Sequence, residues 1–208
     1  MLKSESLTFS YNKSEEFNFP DICLEKEESL LVLGNSGVGK TTLIHLLAGF
    51  LKPKSGVITL NNINYFNLSA NELDLFRGKN IGMVFQKPYF VRNLSIMDNL
   101  FLSLYLSKKK QEKEIIIQIL EDIGLGTKLN SKPDELSQGE QQRAAIALAV
   151  VKKPKLILAD EPTSSLDDEN CKKIIKLLKK QAALVKSQLV IITHDQRIKR
   201  EFHKSIKL

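Results

Sequence analysis

The chain has 208 residues, 42% of them hydrophobic with ten Phe, and a formal net charge of 31 − 24 = +7. That is enough for one α/β domain with a real core, alone or carrying an inserted subdomain, and no stretch has the composition of a disordered tail. The longest apolar run, Ala144 to Val151, is too short to cross a bilayer, and the N-terminus lacks the basic-then-apolar layout of a signal peptide.

Cys23 and Cys171 lie far apart and outside any metal-ligand spacing. Inert thiols in a reducing compartment follow, so a cytoplasmic chain is expected. The positive charge leaves nucleic acid and an anionic membrane surface open as partners. Much of it has a blander source. Lys172, Lys173, Lys176, Lys179 and Lys180 share one face of a predicted helix, opposite Ile174, Ile175, Leu177, Leu178 and Ala182, which reads as a solvated face.

In chain order, Leu2 to Tyr11 and Glu16 to Lys26 read as short strands of an antiparallel lobe. Tyr11 lies 34 − 11 = 23 residues before Gly34; it could stack on a base or simply pack on the sheet. The apolar run Leu30 to Leu33 then enters Gly34-Asn35-Ser36-Gly37-Val38-Gly39-Lys40-Thr41-Thr42, which fits G-x-x-x-x-G-K-[ST], and a helix begins after it. Strand, glycine turn and helix form the context of a phosphate-binding loop. Its backbone N–H groups close around an anion at a helix start, Lys40 reaches the terminal phosphates, and the Thr41 hydroxyl can hold Mg²⁺.

Gly49 and Lys52-Pro53-Lys54-Ser55-Gly56 mark a stop and a turn, and Val57 to Leu60 a strand. Asn71 to Phe76 suggests a short helix. Ile81 to Phe85 is a buried-type strand ending at Gln86. A helical section follows: Ser95-Ile96-Met97-Asp98 looks like a capping box for a helix to about Leu106, and Glu112 to Ile123 is a second helix closed by Gly124. Leu136-Ser137-Gln138-Gly139-Glu140 opens a third. Leu156 to Ala159 is a core strand ending in Asp160-Glu161, Asp167 begins the lysine-faced helix, and Leu189 to Thr193 is a strand ending at His194. Apolar strands alternating with helices predict a mostly parallel α/β sheet with an antiparallel β lobe and an inserted α-helical subdomain at about 88–150, all within one domain, 1–208. Ligands of such sheets sit at the carboxyl ends of the strands, where Gly34, Gln86, Asp160 and His194 fall.

Those strand ends form a set suited to phosphoryl transfer to water. Asp160 can hold Mg²⁺, Glu161 is placed to polarise an attacking water, His194 can donate to the terminal phosphate, and Gln86 can bridge metal and water. Taken singly, Gln86 and His194 read as ordinary polar residues; beside a phosphate loop they gain weight.

With those residues in view, the chain resembles the ATP-binding subunits of ABC transporters over essentially its whole length. The motifs stand in family order: an A-loop aromatic at Tyr11, the Walker A loop of the P-loop NTPases at Gly34 to Thr42, the Q-loop at Gln86, and the signature Leu136-Ser137-Gln138-Gly139-Glu140. Walker B at Leu156 to Asp160 with Glu161, the D-loop Ser165-Leu166-Asp167 and the switch His194 follow. The resemblance implies an ATPase acting as a head-to-tail homodimer with two ATP molecules, each held by Walker A of one chain (Asn35, Ser36, Gly37, Val38, Gly39, Lys40, Thr41, Thr42) and the signature of the other (Ser137, Gly139), with Asp167 alongside. It implies Mg²⁺ at Thr41, Gln86 and Asp160, and Glu161, His194, Gln86 and Lys40 as the catalytic set.

It also implies a separate transmembrane permease subunit, hence a cytoplasmic protein peripheral on the inner face of the membrane. The permease's dock is expected between the Gln86 loop and the helical section, where Pro88, Tyr89, Phe90, Leu94, Ile96 and Met97 are either exposed surface or subdomain core. The chain departs from the usual pattern at Gln138, Glu140 and Leu148, where relatives carry glycine, glutamine and often arginine. It ends soon after His194, leaving no room for a regulatory domain. Glu140, Ile81 to Gln86 and Ala159 to Thr163 are similar to the lipoprotein-releasing and macrolide-export branch. Two other ABC-type readings remain: a soluble ATPase acting on DNA or ribosomes, and a mechanical-signalling relative as in cell division. No Lys/Arg cluster interleaves with aromatics, so no nucleic acid is expected.

Overall fold

The computed structural model describes residues 1–12, 15–164 and 166–208. Two sheets and six α-helices are built from them. The core sheet is wholly parallel: β4 (Ser29–Leu33), β7 (Ile81–Val84), β8 (Leu156–Asp160), β9 (Gln188–Thr193) and β10 (Lys204–Lys207) lie in the order β10-β4-β9-β8-β7. The central three are continuous apolar runs because both faces are covered. Leu30, Val32, Leu156, Leu158, Val190 and Ile192 face one core, while Leu31, Leu33, Ile157, Ala159, Leu189 and Ile191 face another.

The first core is closed by α1 (Lys40–Leu47) and by the antiparallel sheet of β1 (Leu2–Asn12), β2 (Glu15–Asn18), β3 (Ile22–Leu24), β5 (Ser55–Leu60) and β6 (Ile63–Asn64). The stretch expected as one strand, Glu16 to Lys26, is two. Pro20 lacks an N–H for the ladder, and the Asp21 carboxylate leaves it to accept the Ser6 N–H at 2.7 Å. Helix α2 (Ala70–Asn80) outruns the short helix read at Asn71 to Phe76 and leads directly into β7; the capping box of Ser69 and Glu72 starts it.

The second core is closed by α5 (Gln138–Val150) and α6 (Asp168–Leu184). A third lies among α3 (Ile96–Leu106), α4 (Lys113–Asp122) and the far side of α5. Helix α5 therefore buries two faces: Ile146, Ala149 and Val150 pack on the sheet, and Ala144, Ala147 and Val151 pack on α3 and α4. Its alanines let it lie close to β7, where a Cβ on Gly82 would sit 2.4 Å from the Ala149 carbonyl oxygen.

The lysine face of α6 is exposed at Lys172, Lys173, Lys176 and Lys180, with Ile174, Ile175, Leu178 and Ala182 buried beneath. Lys179 departs from that face: its ammonium caps the Glu201 carbonyl and sits over the Phe202 ring.

Candidate active site

The parallel order sets four carboxyl ends side by side. Gly34, His194, Glu161 and Gln86 follow β4, β9, β8 and β7, which are neighbours in the sheet. Backbone bonds tie the ends together: Gly34 N–H donates to the Thr193 carbonyl at 3.3 Å and Glu161 N–H to that of Ile192 at 2.8 Å.

The loop from Gly34 turns at Gly37 and Gly39, both left-handed with φ of 88° and 95°. A Cβ at Gly39 would also lie 2.7 Å from Phe17 Cδ1, so glycine is required there twice over. Lys40 opens α1 and folds back across the loop, its Nζ donating to the Asn35 carbonyl at 2.8 Å and lying 3.6 Å from Glu161 Oε1. Its side chain is 8% exposed, a desolvated cation held beside the loop's N–H groups. Thr42 is buried, and its Oγ1 lies 3.2 Å from the Tyr11 hydroxyl. Tyr11 itself is 58% exposed and meets Phe9 and Phe17 edge-on, so it both packs and leaves ring surface free beside the loop.

Glu161 is the hub. Its backbone is left-handed at φ 46°, which costs a non-glycine residue free energy and persists only where surroundings hold it. They do. Thr193 Oγ1 donates to its Oε2 at 2.7 Å, the His194 N–H donates to Oε1 at 3.1 Å, and His194 Nδ1 lies 2.9 Å from Oε1. A carboxylate can only accept, so the ring offers Nδ1–H to Glu161 and turns Nε2 outward. Thr193 in turn accepts the Asp195 N–H at 3.0 Å.

Asp195 caps a 3₁₀ helix over Gln196–Glu201 and pairs with Arg197, while Thr163 also donates to it. The Arg197 hydrogen bonds hold its carboxyl down at about 2. Asp195 thus begins a helix, while His194 contacts Glu161. The ties of Thr193 and Asp195 to Glu161 and its neighbours escaped the sequence reading because a strand-end Thr and a helix-cap Asp are common for purely structural reasons.

Asp160 differs from its neighbour. Its Oδ1 is buried without a partner among the described residues, and burial, then repulsion from Glu161, raises its pKa against the opposing pull of His45, Lys40 and Thr41. An unpartnered buried carboxylate oxygen beside a threonine hydroxyl fits a hard divalent cation. Gln86 is exposed and donates through Nε2 to Ser164 Oγ at 3.1 Å; Ser164 donates to the Glu161 carbonyl at 3.2 Å.

Ser137 and Glu140 form the expected capping box: Glu140 Oε2 accepts from the Ser137 N–H and hydroxyl, both at 2.8 Å, and Glu140 N–H donates to Ser137 Oγ at 3.3 Å. The Ser137 N–H bond is the main reason the Glu140 pKa lies low. A Cβ on Gly139 would meet only Arg143, at 3.8 Å, so packing does not explain this helix-weakening glycine.

Ser137, Gln138 and Gly139 line a groove of about 670 Å³ with Arg143, Asp167 and Lys173. Both Asp167 oxygens are engaged in capping α6 through Asn170, and Ser165 lies outside the described residues. Gly34 to Thr42 contribute nothing to this groove's lining. Gln138 also borders a smaller pocket with Gln86 and Glu161.

Residues 18–164 match the ABC transporter family. The chain belongs to the ABC transporter family. It is 37% identical over 95% of its length, and 90% of the relative's, to the lipoprotein-releasing system ATP-binding protein LolD of Legionella pneumophila (strain Lens). It superposes with a TM-score of 0.88 and 31% identity on the dimeric structure of MJ0796, a bacterial ABC transporter cassette, covering 100% of this chain and 94% of that one. The MJ0796 dimer in a post-hydrolysis state bound to ADP and Pi superposes equally well. The chain is thus an ATP-binding and ATP-hydrolysing ABC subunit with the P-loop NTPase fold, of a kind that dimerises and works with a membrane partner.

A second groove of about 670 Å³ runs between the core and the helical section, lined in part by Tyr89, Phe90, Leu102, Leu106 and Leu148. Of the apolar residues expected at a dock, Tyr89 and Phe90 line it and Tyr89 is 70% exposed. Ile96 is fully buried in the helical core and Met97 packs against it. Ile96 opens α3 directly after the Ser95 cap.

Proposed function

We propose that two copies of this chain close head to tail on ATP, the loop of one copy facing the Ser137 helix tip of the other. The phosphate loop contributes nothing to the open groove at the Ser137 helix tip, which favours a loop supplied there by a second copy. In the closed pair, Asn35 to Thr42 wrap the phosphates, Tyr11 flanks the base, and Lys40 neutralises the terminal phosphates. The N-terminus of α5, with Ser137 and Gly139, meets the γ-phosphate from the other side, next to Asp167.

Thr41, Asp160 and Gln86 would hold Mg²⁺, which would draw charge from the phosphates; the orphan Asp160 Oδ1 favours that assignment. Glu161 orients and deprotonates the water, and His194, held by Glu161, steadies the γ-phosphate as charge builds. Gln86 donates to Ser164 through Nε2, so its Oε1 is the atom that would face the metal. The whole chain, 1–208, acts as one ATPase domain with the helical subdomain, about 88–150, as its moving insert.

Among the described residues no helix is long and apolar enough to cross a membrane. The partner is a separate membrane-spanning permease seated on the Tyr89 groove, with the chain peripheral on the cytoplasmic inner face. Similarity to proteins named as lipoprotein-releasing ATP-binding subunits favours a partner of that kind. Substrate selection and direction rest with the permease. No nucleic-acid partner enters this reading.

The deciding experiment uses a non-hydrolysable ATP analogue with size exclusion and light scattering. The wild-type chain runs as a dimer, whereas Ser137→Arg still binds nucleotide but stays monomeric. A wild type that remains monomeric at saturating analogue, or a Ser137→Arg chain that dimerises normally, refutes the head-to-tail arrangement.

A further inference from the structure

The Tyr89 groove carries a charge that its own walls do not answer. Its charged lining residues are Asp74, Arg77 and Lys152, a formal balance of 2 − 1 = +1. Arg77 is spent: it pairs with Asp74, donates to the Gly49 carbonyl at 2.8 Å, and lies over the Phe50 ring. Asn99 is spent as well, its amide donating to the carbonyls of Val91, Leu94 and Ser95 while its oxygen accepts the Val91 N–H. Lys152 is left. It follows the end of α5, one turn past the apolar Leu148, and is half-buried; it also borders a smaller pocket with Glu112, but that acid pairs with Lys110, and Lys152 has no hydrogen bond or ion pair among the described residues. Burial alone pushes its ammonium pKa down to about 8, as expected of a cation that gives up water and gains no acceptor.

The rest of the lining suits an apolar occupant. Phe50, Tyr89, Val91 and Leu106 present exposed hydrophobic surface around the opening, and Met83 and Leu102 lie with them. An apolar segment with no acid would complete the desolvation of Lys152 without pairing it, which is costly. A segment with one carboxylate at that point turns the same lysine into an anchor and fixes register along the groove.

We propose that the occupant is a short, mainly apolar segment of the membrane-spanning subunit that carries one carboxylate, seated against Lys152. This rests on the docking of a permease in this groove, and adds which chemical group the permease must bring and where. Apolar contact supplies the surface; the single ion pair excludes permeases that lack the acid at that position.

The test uses the complex purified through a tag on this chain from detergent-solubilised membranes of the organism that encodes it. A zero-length carbodiimide then joins amines to carboxylates in direct contact, and linked peptides are mapped by mass spectrometry. Lys152 should link to an Asp or Glu side chain, or to a chain-terminal carboxylate, of the membrane subunit. Lys152→Met and Lys152→Glu should retain at least about tenfold less membrane subunit, as for loss of one member of a buried interfacial charge pair, and Lys152→Arg should retain it.

ATP hydrolysis by the isolated variants, unchanged from wild type, shows that they fold. If Lys152→Glu fails to fold, the wild-type cross-link and Lys152→Met decide. A complex that forms with other lysines linked but never Lys152, or whose retention ignores Lys152→Met, overturns the proposal and leaves the groove as the dock. Failure of wild type to bring down any membrane-spanning subunit overturns the docking itself.

Discussion

Replacing Glu161 by Gln separates what the carboxylate does for structure from what it does for chemistry. In the wild type, Oε2 accepts the Thr193 hydroxyl at 2.7 Å, and Oε1 accepts the His194 N–H and faces Nδ1 at 2.9 Å. A Gln carbonyl turned toward His194 keeps both of those bonds. Its NH₂ then faces Thr193 Oγ1, which already accepts the Asp195 N–H and must turn its own proton away. One charge-assisted bond becomes one neutral bond of reversed sense, a folding cost of about 1 kcal/mol. Nucleotide affinity should hold or improve, because the variant removes a negative charge 3.6 Å from Lys40. The chemical step is different: losing the base slows it about 10²–10⁴-fold, or roughly 3–5 kcal/mol of transition-state stabilisation. The catalytic loss therefore exceeds the structural one, and the variant should fold, bind ATP, accumulate as an ATP-bound dimer and scarcely hydrolyse. The assay combines phosphate release, titration with a fluorescent ATP analogue, and urea unfolding. Turnover within about threefold of wild type removes Glu161 from the role of base. Loss of binding together with more than about 2 kcal/mol of stability would show that Glu161 mainly builds the site.

Lys40→Ala removes the ammonium that bridges the Asn35 carbonyl and the phosphate position; ATP affinity should drop about 10–100-fold by equilibrium titration, with the fold intact by circular dichroism. Ser137→Ala removes a helix cap at about 1 kcal/mol, so the thermal midpoint should fall by roughly 2–4 °C even without nucleotide, and ATP-driven dimerisation should weaken further. Asp195, held at about 2 by Arg197 against an ordinary 3.8, contributes stability that is fully present above pH 3.8 and is lost as pH falls through 2. Asp195→Asn should therefore cost about 2 kcal/mol in urea unfolding at pH 7 and progressively less between pH 4 and pH 2, and a difference that ignores pH over that window would remove the ion pair as its cause.

The residues that bear chemistry were legible because they end strands that sequence marks plainly. β4, β8 and β9 are buried on both faces, so each is an unbroken apolar run, and the residue after such a run stands out. β10 went unread for the opposite reason: Lys204, Ser205 and Lys207 are exposed at the sheet edge and only Ile206 packs inward, so no pattern announces it. Ile96 illustrates a different blindness. A hydrophobic residue in a helical insert serves a core or a dock equally well on sequence, and only its packing among α3, α4 and α5 assigns it to the core. The Glu161–Thr193 and Gln86–Ser164 bonds were likewise unread, since they join residues 32 and 78 positions apart. Those links exist only once β7, β8 and β9 are neighbours.

Asp160 and Glu161 show how far neighbours, rather than residue type, decide a role. Consecutive carboxylates repel, and on an isolated strand both would point into water with similar properties. Here β8 ends in extended geometry at Asp160 and turns left-handed at Glu161, so the two side chains enter different surroundings. Asp160 Oδ1 is buried with no donor among the described residues, a state that a divalent cation would relieve. Glu161 meets a hydroxyl, a backbone N–H, an imidazole and, at longer range, an ammonium, which hold one orientation while leaving a face for water. Exchanging the pair to Glu-Asp would keep the charge and lose both fits: the shorter acid at 161 falls about one methylene short of Thr193 and His194, and the longer one crowds the place proposed for the cation.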